Sequence, residues 1–405
     1  MSTTNSPTES ANSDDQQVDF SPLLAHVPGA SNVIEDEKLP TAWHYGDPLG
    51  EQNKVEAGAT GLIDRWDRVA IWVHGPEART WLNDMISQKV NAIADGQASF
   101  GLVLDGQGRV EHHFDIAALP GGLLLDVSSQ DATSLQDYLT KMVFWSDVTI
   151  ERLPLRQVGV LKKMVGDADT IEDAAGTGET PGGEFLAAHS WRTRMMGDIS
   201  VTDVWVPEEQ LIAQWDHATD EGLVPTGLMA YTAWRVAARQ VVVGVDTDEK
   251  TIPHEVAEFV GEGNHAATQL ASADAGPTAH AVHLNKGCYR GQETVSRVQN
   301  LGKSPRILVM LHLDGSKNEL PEVGADVTAG GRTIGRVGTS VHDSTYGPIA
   351  LALVRRNVVE KLAKDASAVP ALKAGEVDAS IDSADVKIDN SERPGRAAIK
   401  NLRQR

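Results

Sequence analysis

Residues 286–293 read Lys286-Gly287-Cys288-Tyr289-Arg290-Gly291-Gln292-Glu293, and Cys288 is the single cysteine among 405 residues. The flanking glycines let the backbone bend and leave the sulfur uncrowded. Lys286 and Arg290 favour thiolate over thiol, which makes an exposed sulfur reactive. Gln292 and Glu293 add an amide and a carboxylate suited to orienting a polar ligand. The plainer alternative is a tight turn with solvated charges around an inert, buried sulfur, a common state for a free cysteine. One cysteine also excludes an intrachain disulfide, a Cys-rich zinc site and a four-cysteine cluster held by this chain alone.

Downstream of this octapeptide the pattern becomes short strands separated by glycine turns. The strands are expected at 307–313, 326–328, 333–340 after Gly330-Gly331, and 349–354. Such spacing predicts a small closed or nearly closed β-barrel over 301–362. Residues 363–405, rich in Ala, Asp and Lys, read as a loosely structured tail with a basic finish. Upstream, helices are expected near Leu211, Ile212 and Trp215 and over 228–239, within a second α+β lobe spanning 156–300.

The first lobe, 46–155, begins with Val69, Ile71 and Val73 alternating along a strand. That strand turns at Gly75-Pro76 into a helix carrying Ala78, Trp81, Leu82, Met85 and Ile86. Strands over 100–104 and 109–116 meet through Asp105-Gly106-Gln107-Gly108, a hairpin-type connection. Another strand, 123–127, and a helix stacking Leu135, Leu139 and Met142 follow. Residues 1–45 are polar and acidic and read as a disordered tail, and 166–183 as a long loop. The fold class expected is α+β, two lobes followed by a barrel.

With 36 Lys and Arg against 57 Asp and Glu, the formal charge of -21 argues against an extended nucleic-acid surface. No stretch approaches the roughly 18 apolar residues that span a bilayer. The start of the chain has neither a signal-peptide nor a transit-peptide pattern, so a cytoplasmic, reducing setting is expected.

The octapeptide, with Thr294-Val295-Ser296-Arg297 after it, resembles the signature of the YgfZ family in the aminomethyltransferase-like superfamily. Further strings resemble the same family in the same order. They are Gly61-Leu62-Ile63-Asp64, Val73-His74-Gly75-Pro76-Glu77-Ala78, Thr251-Ile252-Pro253-His254-Glu255 and Gly347-Pro348-Ile349-Ala350-Leu351-Ala352. The resemblance covers about residues 58–356. It implies two folate-binding lobes around a central cavity, related to the T protein of glycine cleavage, with a C-terminal barrel. It further implies tetrahydrofolate, or a derivative, as cofactor. The role implied is maintenance or insertion of iron-sulfur clusters in client enzymes, a tRNA-thiolating one included, with assembly factors and clients as partners.

Two positions depart from the related aminomethyltransferases. Where those enzymes carry an acidic pair, this chain has His112 and His113; neighbours on a strand point to opposite faces, so one of them is expected to line the cavity. Where they end a helix in Arg-x-Glu, this chain has Arg235, Val236 and Ala237, and Glu255 or Asp246 is a candidate replacement acceptor. The expected working thiol is Cys288 with Lys286 as its electrostatic support. The expected ligand-binding residues are Tyr289, Arg290, Gln292, Glu293, Arg235, Trp234 and His113. The leading reading is a folate-binding accessory protein; a tetrahydrofolate-dependent aminomethyltransferase or demethylase and a ligand-free scaffold are the alternatives.

Overall fold

Alternating apolar residues in 98–128 build a meander whose two faces do different work. The computed structural model describes residues 19–34, 37–164, 190–261 and 280–388. In it Ala98–Leu104, Val110–Leu119 and Gly122–Ser128 form an antiparallel sheet, extended by Arg68–His74 and Thr149–Arg152. One face puts Ile71, Val73, Phe114 and Ile116 under the helices Ala78–Met85 and Ser129–Lys141, which contribute Trp81, Leu82, Leu135 and Leu139 to a closed core. The other face carries His113, Asp115 and Asp126 toward the centre of the molecule. The hairpin turn is fixed by Asp105, whose carboxylate accepts the N–H groups of Gln107 (2.7 Å) and Arg109 (2.8 Å).

The second sheet runs Ser190–Met196, Ile199–Pro207, Leu155–Lys163, Gly61–Arg65 and Val224–Pro225. Gly61–Arg65 precedes the first sheet in sequence yet sits inside the second, pairing antiparallel with Leu155–Lys163 and parallel with Val224–Pro225. A division at 155/156 therefore misassigns this strand, and the lobes are interleaved along the chain. The helices Leu211–Asp220 and Leu228–Ala237 lie close to their expected positions.

Two further boundaries move. Residues 19–34 and 37–45, expected as part of a disordered tail, belong to the fold: Leu23 is buried with Leu62, Trp66 and Trp215. Thr41 donates to the Asp64 carboxylate (2.7 Å), and the carbonyls of Ala42 and Trp43 accept from Leu228 and Met229 at the start of their helix. These contacts satisfy helix N–H groups that have no partner within the helix. At the other end, Leu372–Ala374 and Val377–Ile381 complete a closed six-stranded barrel with Arg306–Leu313, Asp326–Ala329, Arg332–Asp343 and Gly347–Arg355. Leu372, Ala374 and Val377 enter the barrel core, a short period-two signal hidden by neighbouring charges. The expected loop at 166–183 lies outside the described residues.

The largest core joins all three parts. Leu102, Leu104 and Val110 of the first sheet meet Ala233 and Val236 of the helix Leu228–Ala237, Leu308 and Leu351 of the barrel, and Tyr289 and Val295 around the octapeptide. Among the described residues no helix is long and apolar enough to cross a membrane.

Candidate functional site

A cavity of about 850 Å³ opens between the two sheets, the helix Leu228–Ala237 and the barrel. This is within the usual range for small-molecule sites, roughly 300–1,000 Å³. Its charged wall is assembled from strand positions two apart. Arg192 and Arg194 share one face of their strand, and His113 and Asp115 share one face of theirs. Arg192 is buried and reaches Asp115 (2.7 Å), Asp126 (3.0 Å) and Asp203. Arg68 also bonds Asp126 (2.6 Å), and the Gln157 amide donates to the same carboxylate (2.7 Å). Burial opposes ionisation of Asp115, but Arg192 outweighs it and holds the carboxyl well below its ordinary range.

Two groups in this wall are not engaged in the ion pairs. Burial pushes His113 down to about 4, so the ring is neutral near pH 7. Phe100 and Phe259 pack on it at ring-centroid distances of 5.7 and 5.1 Å, and its Nε2 is buried without a hydrogen-bond partner. Glu258 is raised to about 7, by burial first and by Asp115 second. Its carboxyl accepts from the Val241 N–H at 3.4 Å, a long bond. The cavity thus holds a permanently ionised carboxylate, a neutral imidazole and a carboxyl that exchanges its proton near neutrality. Groups with separated proton affinities in one site are suited to binding a polar ring or moving a proton.

Arg235 lines the cavity, yet its guanidinium is committed to Asp246 (2.7 Å), the Gln240 carbonyl (2.7 Å) and Thr339 (2.6 Å), which ties the helix to the barrel. Asp246 is thereby used up. Glu255 bonds Arg306 (2.7 Å) and is also unavailable as the replacement acceptor. Trp234 does not line the cavity: it packs with Val55, Ile63 and Met196, and its indole N–H donates to Glu56 (2.6 Å). Helical position explains this, because Trp234 follows Ala230 by one turn on the face that meets the second sheet.

The octapeptide contributes no residue to the cavity wall. Gly291 adopts φ 80° as the residue before the helix Gln292–Leu301, and a Cβ there would lie 2.7 Å from the Asp105 carbonyl oxygen. Gly108, at φ 77°, leaves the matching space for Thr294. Two glycines therefore let the octapeptide seat directly on the hairpin turn of the first sheet. Tyr289 is buried in the central core, with the Lys286 ammonium 5.1 Å from its ring centroid. Burial raises the Tyr289 phenol well above its ordinary range, so it stays neutral.

Lys286 donates to the carbonyls of Asn83, Ile86 (2.7 Å) and Gln88 (2.9 Å) at the end of the helix Ala78–Met85. Burial pushes this lysine down to about 7, while the nearby Asp84 carboxylate works the other way and favours its ammonium. The lysine's bonds make it an anchor for the loop. Arg290 pairs with Glu111 (3.0 Å) and lies 5.9 Å from the Tyr138 ring centroid. Gln292 donates to the Lys286 carbonyl at 3.4 Å, and Glu293 is exposed in the first helical turn. None of Tyr289, Arg290, Gln292 and Glu293 reaches the cavity, so the expected ligand contacts by these four do not form there. Cys288 itself is exposed.

Sequence reasoning missed Glu258, Asp115, Arg192 and Arg194. Period-two spacing offered Asp115 once His113 was placed inward, and Arg194 once Arg192 was. Glu258 carried no local signal, because its place in the wall depends on where the segment 257–260 packs.

Two interleaved α+β lobes around a polar cavity, closed by a barrel, define the aminomethyltransferase-like class. The GCVT N-terminal domain matches residues 41–258, and the CAF17 C-terminal beta-barrel domain matches 306–386. The chain belongs to this GCVT-like family, in the YgfZ/CAF17 branch, as its motifs led one to expect. The octapeptide lies between the two matched segments.

An aminomethyltransferase of Francisella tularensis subsp. holarctica is 24% identical over 246 residues, 57% of this chain and 66% of that protein. The chain thus spans just under two thirds of that relative. An aminomethyltransferase of Streptomyces avermitilis is 26% identical over 326 residues, 76% of this chain and 82% of its own length. The crystal structure of the glycine cleavage system aminomethyltransferase T from Bartonella henselae superposes with a TM-score of 0.64, covering 91% of this chain and 97% of that one. At 16% identity this likeness is one of fold alone.

Proposed function

We propose that this chain is a folate-binding accessory protein for iron-sulfur enzymes, in which the cavity holds tetrahydrofolate or a derivative and Cys288 is the working thiol. The observation that carries the reading is the separation of the two: the single cysteine is displayed outside, on a loop anchored by Lys286 and seated by Gly291, away from the cavity. A chain built only for chemistry on a cavity ligand has no use for such a loop.

The cavity's residues suit a reduced pterin. The donor edge of a pterin ring calls for a carboxylate, and Glu258 is the cavity carboxyl with only a weak bond of its own. His113 offers an unpartnered Nε2 and Phe100 an aromatic edge beside it. Bound folate would supply one-carbon chemistry. The protein's part is to position the ring, exclude water and set the proton on Glu258. Titrating tetrahydrofolate into wild type by calorimetry is expected to give saturable binding, weakened about tenfold or more in Glu258→Gln. No heat with wild type at millimolar ligand rejects the folate half of the reading and favours a ligand-free scaffold.

The one-carbon transferase reading has one observation in its favour: Asp115 supplies a cavity carboxylate despite the histidines at 112 and 113. Its charge is matched by Arg192 at 2.7 Å, which lessens its hold on a developing cation. Turnover of an aminomethylated or methylated donor by purified protein would establish that alternative.

A further inference from the structure

Helix Ser129–Lys141 ends in an abrupt turn that displays two large aromatic side chains to solvent. Trp145 is 100% exposed and Phe144 76% exposed. Phe144 also adopts φ 45°, a left-handed backbone that a bulky residue rarely takes. Local strain combined with the exposure of Trp145 and Phe144 is not what folding alone selects, because burying either would stabilise the chain.

The turn and the thiol loop share their anchors. Trp81, on the helix Ala78–Met85, donates its indole N–H to the Met142 carbonyl (3.2 Å) just before Phe144. Lys286 grips the end of that same helix through Ile86 and Gln88. Arg290 approaches Tyr138, on the helix that leads into the turn. The two features are therefore mounted on the same pair of helices.

The charges around them select a partner. Glu77, Asp84, Asp137 and Asp147, with Glu111 and Glu293 at the thiol loop, are exposed around them, against the exposed cations Lys141 and Arg290, the latter paired with Glu111. With a chain charge of -21, such a rim repels an anionic lipid surface and attracts a basic one. We propose that the Phe144-Trp145 turn and the Cys288 loop form one docking face for a folded protein partner offering an apolar pocket rimmed by Lys or Arg. The partner would take Trp145 as its anchor and be brought to the thiol. Trp is a preferred anchor residue at such contacts.

This inference rests on the accessory-protein reading, and its test separates the two. A photo-crosslinking benzoylphenylalanine is placed at position 145, and in a second chain at position 293 beside the thiol loop, in cells that depend on this protein for iron-sulfur enzyme activity. The expected result is one and the same iron-sulfur protein captured from both positions. Trp145→Ser is expected to keep the wild-type melting temperature and tetrahydrofolate binding while lowering rescue of iron-sulfur enzyme activity about tenfold at low expression. Crosslinks from position 145 to lipid, to a second copy of this chain, or to a protein not reached from 293 would overturn the docking face. So would full rescue by Trp145→Ser. Failure of the accessory reading alone would show differently, as full rescue by Cys288→Ser.

Discussion

The central cavity and the thiol loop are built on opposite plans. The cavity draws its working groups from distant stretches, among them those around Asp67, Asp115, Asp126, Arg192, Arg239 and Glu258, and neutralises most of them against one another. The loop draws everything from eight consecutive residues and spends its own cations on anchoring, through Lys286 to helix carbonyls and Arg290 to Glu111. One is a preorganised interior that can hold a ligand still. The other is a rigid mount that offers one sulfur to the outside. The difference teaches that charged residues adjacent in sequence are also committed to partners far away in the chain.

The sharpest way to break the mount is at its tightest contact. Gly291→Ala puts a Cβ against the Asp105 carbonyl oxygen in a left-handed backbone, and is expected to destabilise the fold by about 2 kcal/mol or more. Thermal unfolding reads the loss, and an unchanged midpoint would mean that the loop is not seated on the hairpin turn. Lys286→Met removes the ammonium from its carbonyl acceptors and is expected to cost about 1–3 kcal/mol.

The cavity is tested by pH. Glu258, raised to about 7 from 4.5, stabilises the fold fully below 4.5 and loses that contribution as pH rises through 7. His113, lowered to about 4 from 6.5, has the opposite slope: its contribution is full above 6.5 and is lost as pH falls through 4. Over the shared window the two oppose each other. Removing the carboxyl with Glu258→Gln should therefore leave a variant whose stability, relative to wild type, grows by about 1–2 kcal/mol between about pH 5 and 8. Denaturant melts across that range check it, and parallel curves would place Glu258 in water. The smallest effect is expected from Trp234→Phe. Losing its bond to Glu56 should cost about 1 kcal/mol and leave tetrahydrofolate binding untouched, because the indole lies outside the cavity.

The same contrast governs what could be read from the sequence. The octapeptide is contiguous, so its residues were visible in one string, as were the strands of the first sheet through their alternation; that its sulfur is exposed and not buried came from the structure. The octapeptide's geometry was not visible: whether Lys286 faces Cys288 or the carbonyl of Ile86 depends on a helix two hundred residues earlier. The cavity was legible at the His112-His113 pair, where strand parity turns one ring inward; the structure shows that ring to be His113. Glu258 and the commitment of Asp246 to Arg235 appear only when separate segments pack. The last two barrel strands escaped because Ala374, Ala379 and their charged neighbours carry little apolar contrast, although Leu372 and Val377 are buried.

The accessory role turns most directly on the sulfur. In a strain lacking this protein, Cys288→Ser should be expressed, melt like wild type and bind tetrahydrofolate as wild type does, because the thiol is exposed and outside the cavity. It should nevertheless fail to restore iron-sulfur enzyme activity. Restoration to the wild-type level would contradict the account.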